Sequence, residues 1–175
     1  QQAQPIWKPA GDISTRMTGG NCTPYGMKTW GDLFTPRQLV ALTTFSDLVP
    51  EAIARARADA LATGLPDDGR GLDAGGDGAT AYAEAGGAYL GFGVAKSADY
   101  WSNICTWRSD PKNLGIGHVF ARQAIPMVWD FAEGNVFSSS SGNFLDQFTW
   151  IGKVLDKLPA ASDSSAVQLD ASSRD

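Results

Sequence analysis

The chain has 175 residues, of which 43% are hydrophobic and 19% charged, and its formal net charge is −5. That length and apolar content suit one ordinary globular core and exclude a disordered tail. The acidic balance argues against a stand-alone nucleic-acid binder, whose phosphate contacts need clustered Lys and Arg, so any DNA contact must be local or supplied by other parts of a larger protein.

Residues 1–24 hold Pro5, Pro9, Pro24 and the pair Gly19-Gly20 with little periodicity, and read as an extended N-terminal arm that needs a partner surface. A helical domain is expected over residues 25–160. Cys22 and Cys105 have no Cys or His neighbours at metal-ligand spacing, so they read as reduced thiols and no metal site is expected. No apolar run approaches the roughly 18 residues needed to cross a bilayer, and a cytoplasmic setting without membrane contact is expected.

The first helix should open at Thr35. Thr35 is a good N-cap, Pro36 at N1 loses nothing by lacking an N–H, Gln38 at N3 completes a capping box, and Phe34 and Leu39 occupy hydrophobic-staple positions. Such a start is rigid and positively polarised, which suits the carboxylate or phosphate of a ligand as well as plain capping. Leu39, Leu42, Phe45, Leu48 and Val49 then mark one apolar face, and Pro50 should kink or break the helix. An alanine-rich second helix over residues 51–63 can end at Gly64 as a C′ residue.

Residues 65–78 read as a flexible linker; Gly75-Gly76-Asp77-Gly78 follows a helix-like segment instead of an apolar strand and lacks the setting of a cofactor loop. A long helix is expected over residues 80–107, with Tyr82, Tyr89, Leu90, Val94, Trp101 and Ile104 as its apolar members. Gly86, Gly87, Gly91 and Gly93 lie within it, each costing about 1 kcal/mol relative to Ala. Gly87 and Gly91 would share a face for a close helix crossing, the alternative being a locally broken helix.

Asp110-Pro111 and Gly115 to Gly117 mark a connection. Residues 120–133 contain Ile125-Pro126-Met127-Val128-Trp129, which fits a short buried strand or a proline-started helix, the helix being favoured. After a polar loop at residues 138–142, Asn143 can cap a last helix carrying Phe144, Phe148, Ile151 and Leu155, ending near Leu158-Pro159. Residues 161–175 read as a tail holding the start of a strand near Val167. The expected fold is therefore mainly α, with about five helices around one core and a short strand near the C-terminus.

Two polar constellations stand out. Trp129, Asp130, Glu133 and Asn135, with Phe131, place carboxylates beside aromatic surface, as a ribose or adenine contact requires; the plainer reading makes Glu133 and Asn135 helix-ending or loop-capping residues. Tyr100, Trp101, Trp107, Arg108, Lys112, His118 and Arg122 interleave aromatic and basic residues, as base stacking with phosphate contact would use. Trp101 and Trp107 fit core positions better, and His118, the single histidine, reads as an ordinary surface or hinge residue.

Three phrases carry a resemblance: Tyr25-Gly26-Met27-Lys28-Thr29-Trp30-Gly31-Asp32-Leu33-Phe34-Thr35-Pro36-Arg37-Gln38-Leu39 with its continuation to Val49, Tyr100-Trp101-Ser102-Asn103-Ile104-Cys105-Thr106-Trp107, and the run from Arg122 to Glu133. Together they resemble the large DNA adenine methylases of restriction and phage defence. The resemblance implies S-adenosylmethionine as cofactor and DNA as partner. It assigns Phe34, Thr35, Pro36, Arg37 and Gln38 to the methionine end of the cofactor, and Trp129, Asp130, Glu133 and Asn135 to substrate or nucleoside contacts. Relatives usually carry proline after the Asn, where this chain has Gly134-Asn135-Val136.

Neither the family's glycine-rich Asp-Pro-Phe-x-Gly-x-Gly loop nor its catalytic Asp-Pro-Pro-Tyr loop occurs in this sequence, so no catalytic residue is assigned. The chain thus reads as an internal fragment of a larger α/β methyltransferase, supplying one wall of a cofactor site whose other wall belongs to the remainder of that enzyme. The alternative is a helical DNA-recognition or protein-interaction module without cofactor contact.

Overall fold

Three α-helices form among residues 3–16 and 18–158, the part of the chain that the computed structural model describes: α1 (Pro36–Ala62), α2 (Ala79–Ala98) and α3 (Phe144–Leu155). Both helix starts for which the sequence offers a side-chain cap are built as their residues dictate. At α1 the Thr35 N–H donates to Gln38 Oε1 at 2.8 Å and the Gln38 N–H donates to Thr35 Oγ1 at 3.4 Å. At α3 the Asn143 side-chain oxygen accepts from the Asp146 N–H at 2.9 Å. Gly64, at φ +90°, follows the last residues of α1 in the left-handed region that glycine enters without steric cost.

The mainly helical expectation holds, but the division into helices differs. Residues 36–62 form one helix with Pro50 inside it. Pro50 is exposed, so the backbone hydrogen bond it lacks falls on the solvent side while packing against α2 keeps the flanking turns together. The long helix stops at Ala98, short of the expected residue 107, and the chain continues through an irregular turn into a two-residue antiparallel pair, β1 (Trp107–Arg108) and β2 (Gly115–Ile116). Residues 120–133 form neither helix nor strand. Pro126 lacks a donor and biases Ile125 towards extended backbone, and that backbone is held instead by the Ile125 N–H donating to Thr18 O and the Ala132 N–H to Cys105 O, both at 2.8 Å. The expected strand near Val167 and the residue 161–175 tail lie outside the described residues.

The helices do not surround the main core. The buried cluster of Ile13, Cys22, Leu33, Ile104, Cys105, Ile116, Val119 and Ile125 comes from short 3-10 turns, loops and the β1–β2 hairpin. Ile13 and Cys22 belong to the N-terminal arm, whose partner surface is therefore this chain's own residues 104–125. Beside that core, α2 packs on α1 and on α3. Its inward face is made of Ala79, Ala81, Ala83, Gly87 and Gly93, while the expected apolar members Tyr82 and Tyr89 point outward.

A Cβ at Gly87 would overlap the Ile53 side chain of α1, and one at Gly93 would overlap the Phe148 ring of α3, whereas Gly86 and Gly91 face open space. Close packing thus uses Gly87 and Gly93 on two neighbours, in place of the expected Gly87 and Gly91 on one. The connection at residues 65–78 is tied down. Asp67 accepts from the Thr80 N–H (3.0 Å), the Thr80 hydroxyl (2.9 Å) and Arg57 (2.7 Å), and Glu84 accepts from the Leu72 N–H at 2.7 Å.

Candidate functional site

The start of α1 leans on the core through the turn before it. Leu33, fully buried, offers its carbonyl to the Ser102 hydroxyl at 2.7 Å and to the Asn103 N–H at 2.9 Å. Asp32 receives the N–H groups of Lys28 and Thr29, at 3.0 and 2.8 Å, and these bonds, chiefly that from Thr29, hold its carboxyl below the usual range. The segment that delivers Phe34 and Thr35 to the helix is therefore braced from both sides.

One consequence tempers the expected anion-binding helix end. Capping consumes the Gln38 N–H, the Leu39 N–H bonds to Thr35 O at 3.0 Å, and Pro36 has no donor, so among the described residues the Arg37 N–H is the first-turn donor without an acceptor. Gln38 adds a second donor of another kind. Its Oε1 is taken by the cap, and its Nε2 is buried without a partner, in a residue only 4% exposed. An unmet buried amide costs about 1–3 kcal/mol and is a ready donor for an incoming acceptor.

The two sequence phrases singled out for chemistry meet here. Arg37 forms a two-point ion pair with Glu133, 96 residues away, its Nε donating to Oε1 at 2.6 Å and its Nη2 to Oε2. The pair raises the already high proton affinity of the guanidinium through that hydrogen bond, so Arg37 is cationic at every working pH. Arg37, Gln38, Glu133 and Asn135 line a groove of about 570 Å³, which continues along α1 past Val40, Ala41, Thr44 and Phe45 to Leu48. Trp101 and Phe137 complete its largely apolar wall.

The aromatic wall is mutually supported. Phe45 stacks on Phe144 with ring centroids 3.6 Å apart and lies 5.9 Å from Trp101 and 6.1 Å from Phe137. The Trp101 indole donates to Gly142 O at 2.7 Å and the residue is 2% exposed, in keeping with its expected core position. Such a groove, apolar with a few polar groups at one end, has the size and character of small-molecule sites.

Other expected contacts lie elsewhere. Phe34, Thr35 and Pro36 shape the helix start but do not line the groove, and Trp129 and Asp130 are also outside its lining. Trp129 is 75% exposed and meets Tyr25 edge-on, 4.9 Å between centroids. Trp107, expected in the core, is exposed on β1.

His118 is more engaged than an ordinary surface histidine: its Nδ1 lies 2.8 Å from Asp99 Oδ2 and its Nε2 lies 3.0 Å from the Tyr100 hydroxyl. Burial works against ionisation of Asp99, but hydrogen bonds from the Phe120 N–H and His118 prevail and keep its carboxyl below the usual range. Sequence reasoning grouped Tyr100 with His118 but did not join them to Asp99, since His118 comes beside Asp99 and Tyr100 only when the loop after α2 folds back. Among the described residues no group of His, Cys, Asp and Glu side chains could hold a metal ion, and no helix is long and apolar enough to cross a membrane.

Compared with models of known protein families, with curated proteins and with solved structures, the chain finds no match.

Proposed function

We propose that the chain is part of an S-adenosylmethionine-dependent DNA adenine-N6 methyltransferase, in which the Arg37–Glu133 groove forms one wall of the cofactor site. The observation that carries this reading is the convergence on one groove of Arg37 and Gln38 from the helix start with Glu133 and Asn135 from a segment 96 residues further on.

The donor set fits the cofactor's parts. A carboxylate suits the Arg37 N–H and guanidinium together with the unpartnered Gln38 Nε2, a ribose suits the Glu133 carboxylate and the Asn135 amide, and a flat base suits the Phe45, Trp101 and Phe137 wall. When bound, S-adenosylmethionine supplies the methyl group. This chain's residues bind and orient: the braced turn fixes where Thr35 and Arg37 stand, and the apolar wall keeps water from the face it covers. The glycine-rich and catalytic loops belong, on this reading, to the remainder of the enzyme.

The test is made in the intact enzyme. Thr35→Ala combined with Arg37→Ala should weaken S-adenosylmethionine binding, measured by calorimetry, about tenfold or more while leaving DNA affinity unchanged, since one charge-assisted hydrogen bond contributes about 1.5–3 kcal/mol. Unchanged cofactor affinity with reduced DNA affinity would overturn it in favour of a helical DNA-recognition or interaction module.

A further inference from the structure

Another pocket, of about 340 Å³, lies between the β1–β2 hairpin and α3. Its wall contains the basic side chains Arg108 and Lys112 from the hairpin, the aromatic rings of Tyr100 and Trp150, and the amide of Gln147. The floor is preformed. Gly115, at φ +148°, brings β2 so near Ser141 that a Cβ there would overlap the Ser141 hydroxyl, and Gly142 lies under the Tyr100 ring.

Arg108 and Tyr100 are held by their neighbours. Arg108 anchors one guanidinium nitrogen on Ile116 O at 3.1 Å and keeps its remaining donors. Tyr100 is fixed by its hydroxyl's bond to His118, so its ring stands as a rigid face. Trp150 is 62% exposed, with the Lys153 ammonium 4.6 Å from its ring centre, which adds positive charge at the rim. Asp146 also lines the pocket, but its carboxylate is engaged by the Asn143 amide at 2.7 Å.

Gln147 lines this pocket and also the apolar one between α2 and α3. It is 3% exposed, its Nε2 donates to Asn143 O at 3.2 Å, and its Oε1 is buried without a partner. A buried acceptor with no donor, beside two aromatic faces and two cations, calls for a planar group with N–H donors that also carries negative charge.

We propose that this pocket takes one nucleotide of a single DNA strand, its phosphate on Arg108 and Lys112, its base against Trp150, and a base N–H on Gln147 Oε1. Stacking with phosphate contact is the usual way to hold single strands, and the site makes local the cationic patch that the acidic chain lacks as a whole. The inference rests on the DNA-methylase reading for its choice of polymer, yet its test needs no cofactor, so the two fail separately.

Fluorescently labelled oligonucleotides, single-stranded and duplex, are titrated with the protein by anisotropy at several salt concentrations. The native protein should prefer the single strand. Arg108→Ala with Lys112→Ala should flatten the slope of log K against log salt by about 0.7, the share of the one phosphate they hold. Trp150→Ala should lower single-strand affinity about tenfold, within the range that loss of one stacked base gives. Gln147→Leu should lower affinity for single strands of any base, since all four bases carry an N–H donor, and circular dichroism checks that each variant keeps the native fold. An unchanged salt slope in the folded double variant, or equal affinity for duplex and single strand, would overturn the proposal.

Discussion

Replacing Gly91 and Gly93 by alanine, one at a time, separates helix propensity from packing within a single turn of α2. Each replacement gains about 1 kcal/mol of helix propensity. At Gly91 the new methyl meets nothing, so that gain should appear whole, raising Tm by about 2–4 °C for a chain of this size. At Gly93 the methyl would overlap the Phe148 ring, which is itself set edge-on against Phe144 with centroids 4.7 Å apart and has little room to turn aside. Overpacking of this kind costs about 1–3 kcal/mol, so Gly93→Ala should come out from neutral to about 2 kcal/mol less stable than the native chain. The difference between the variants cancels the propensity shared by both and leaves about 1–3 kcal/mol for packing. Urea unfolding followed by circular dichroism reads it directly, with Gly86→Ala as a second open-space control. If Gly93→Ala proved as stable as Gly91→Ala, α3 would not lie on α2 as described.

Two further outcomes follow from ionisation. Hydrogen bonds from the Thr80 N–H and Arg57 hold the Asp67 carboxyl at about 2. A folded-state value below the unfolded one, near 3.9, means stability that is present above about pH 4 and lost as the pH falls towards 2. Asp67→Asn should remove that part of the acid dependence in a Tm series, and an unaltered series would refute the assigned bonds. Burial pushes the Cys105 thiol up to about 11 and also raises that of Cys22. Neither should react with a thiol reagent in the native protein at pH 8, and both should react in denaturant. Rapid native labelling of either would contradict the described core.

Helix starts were legible in the sequence because four adjacent residues decide them: Thr35 with Gln38, and Asn143 with Asp146, form the bonds their types imply. Gly64 likewise marks the end of α1. What the sequence left open depends on partners far along the chain. The α2 periodicity could not say that alanines would face inward and tyrosines outward, because only contact with Ile53 and Phe148 makes small residues the better fit. Pro50 was overestimated as a breaker for a similar reason, since packing on both flanking turns outweighs one missing bond. At the groove, Arg37, Gln38, Glu133 and Asn135 could each be singled out, but the sequence alone could not pair Arg37 with Glu133 or reveal the idle Gln38 nitrogen. Trp129 and Asp130, neighbours of Glu133 in sequence, show that adjacency in the chain does not carry a side chain into the same groove.

The Asp67 knot has a bearing on the order in which the molecule assembles. It joins Arg57, Asp67 and Thr80 across only 10 and 13 residues, so closing it costs little loop entropy and brings α1 and α2 together early. The Ser102–Leu33 and Arg37–Glu133 bonds span 69 and 96 residues and must wait for the distal segments. On a ribosome the helical pair can be complete before the segments after α2 have emerged, and the groove forms only after it.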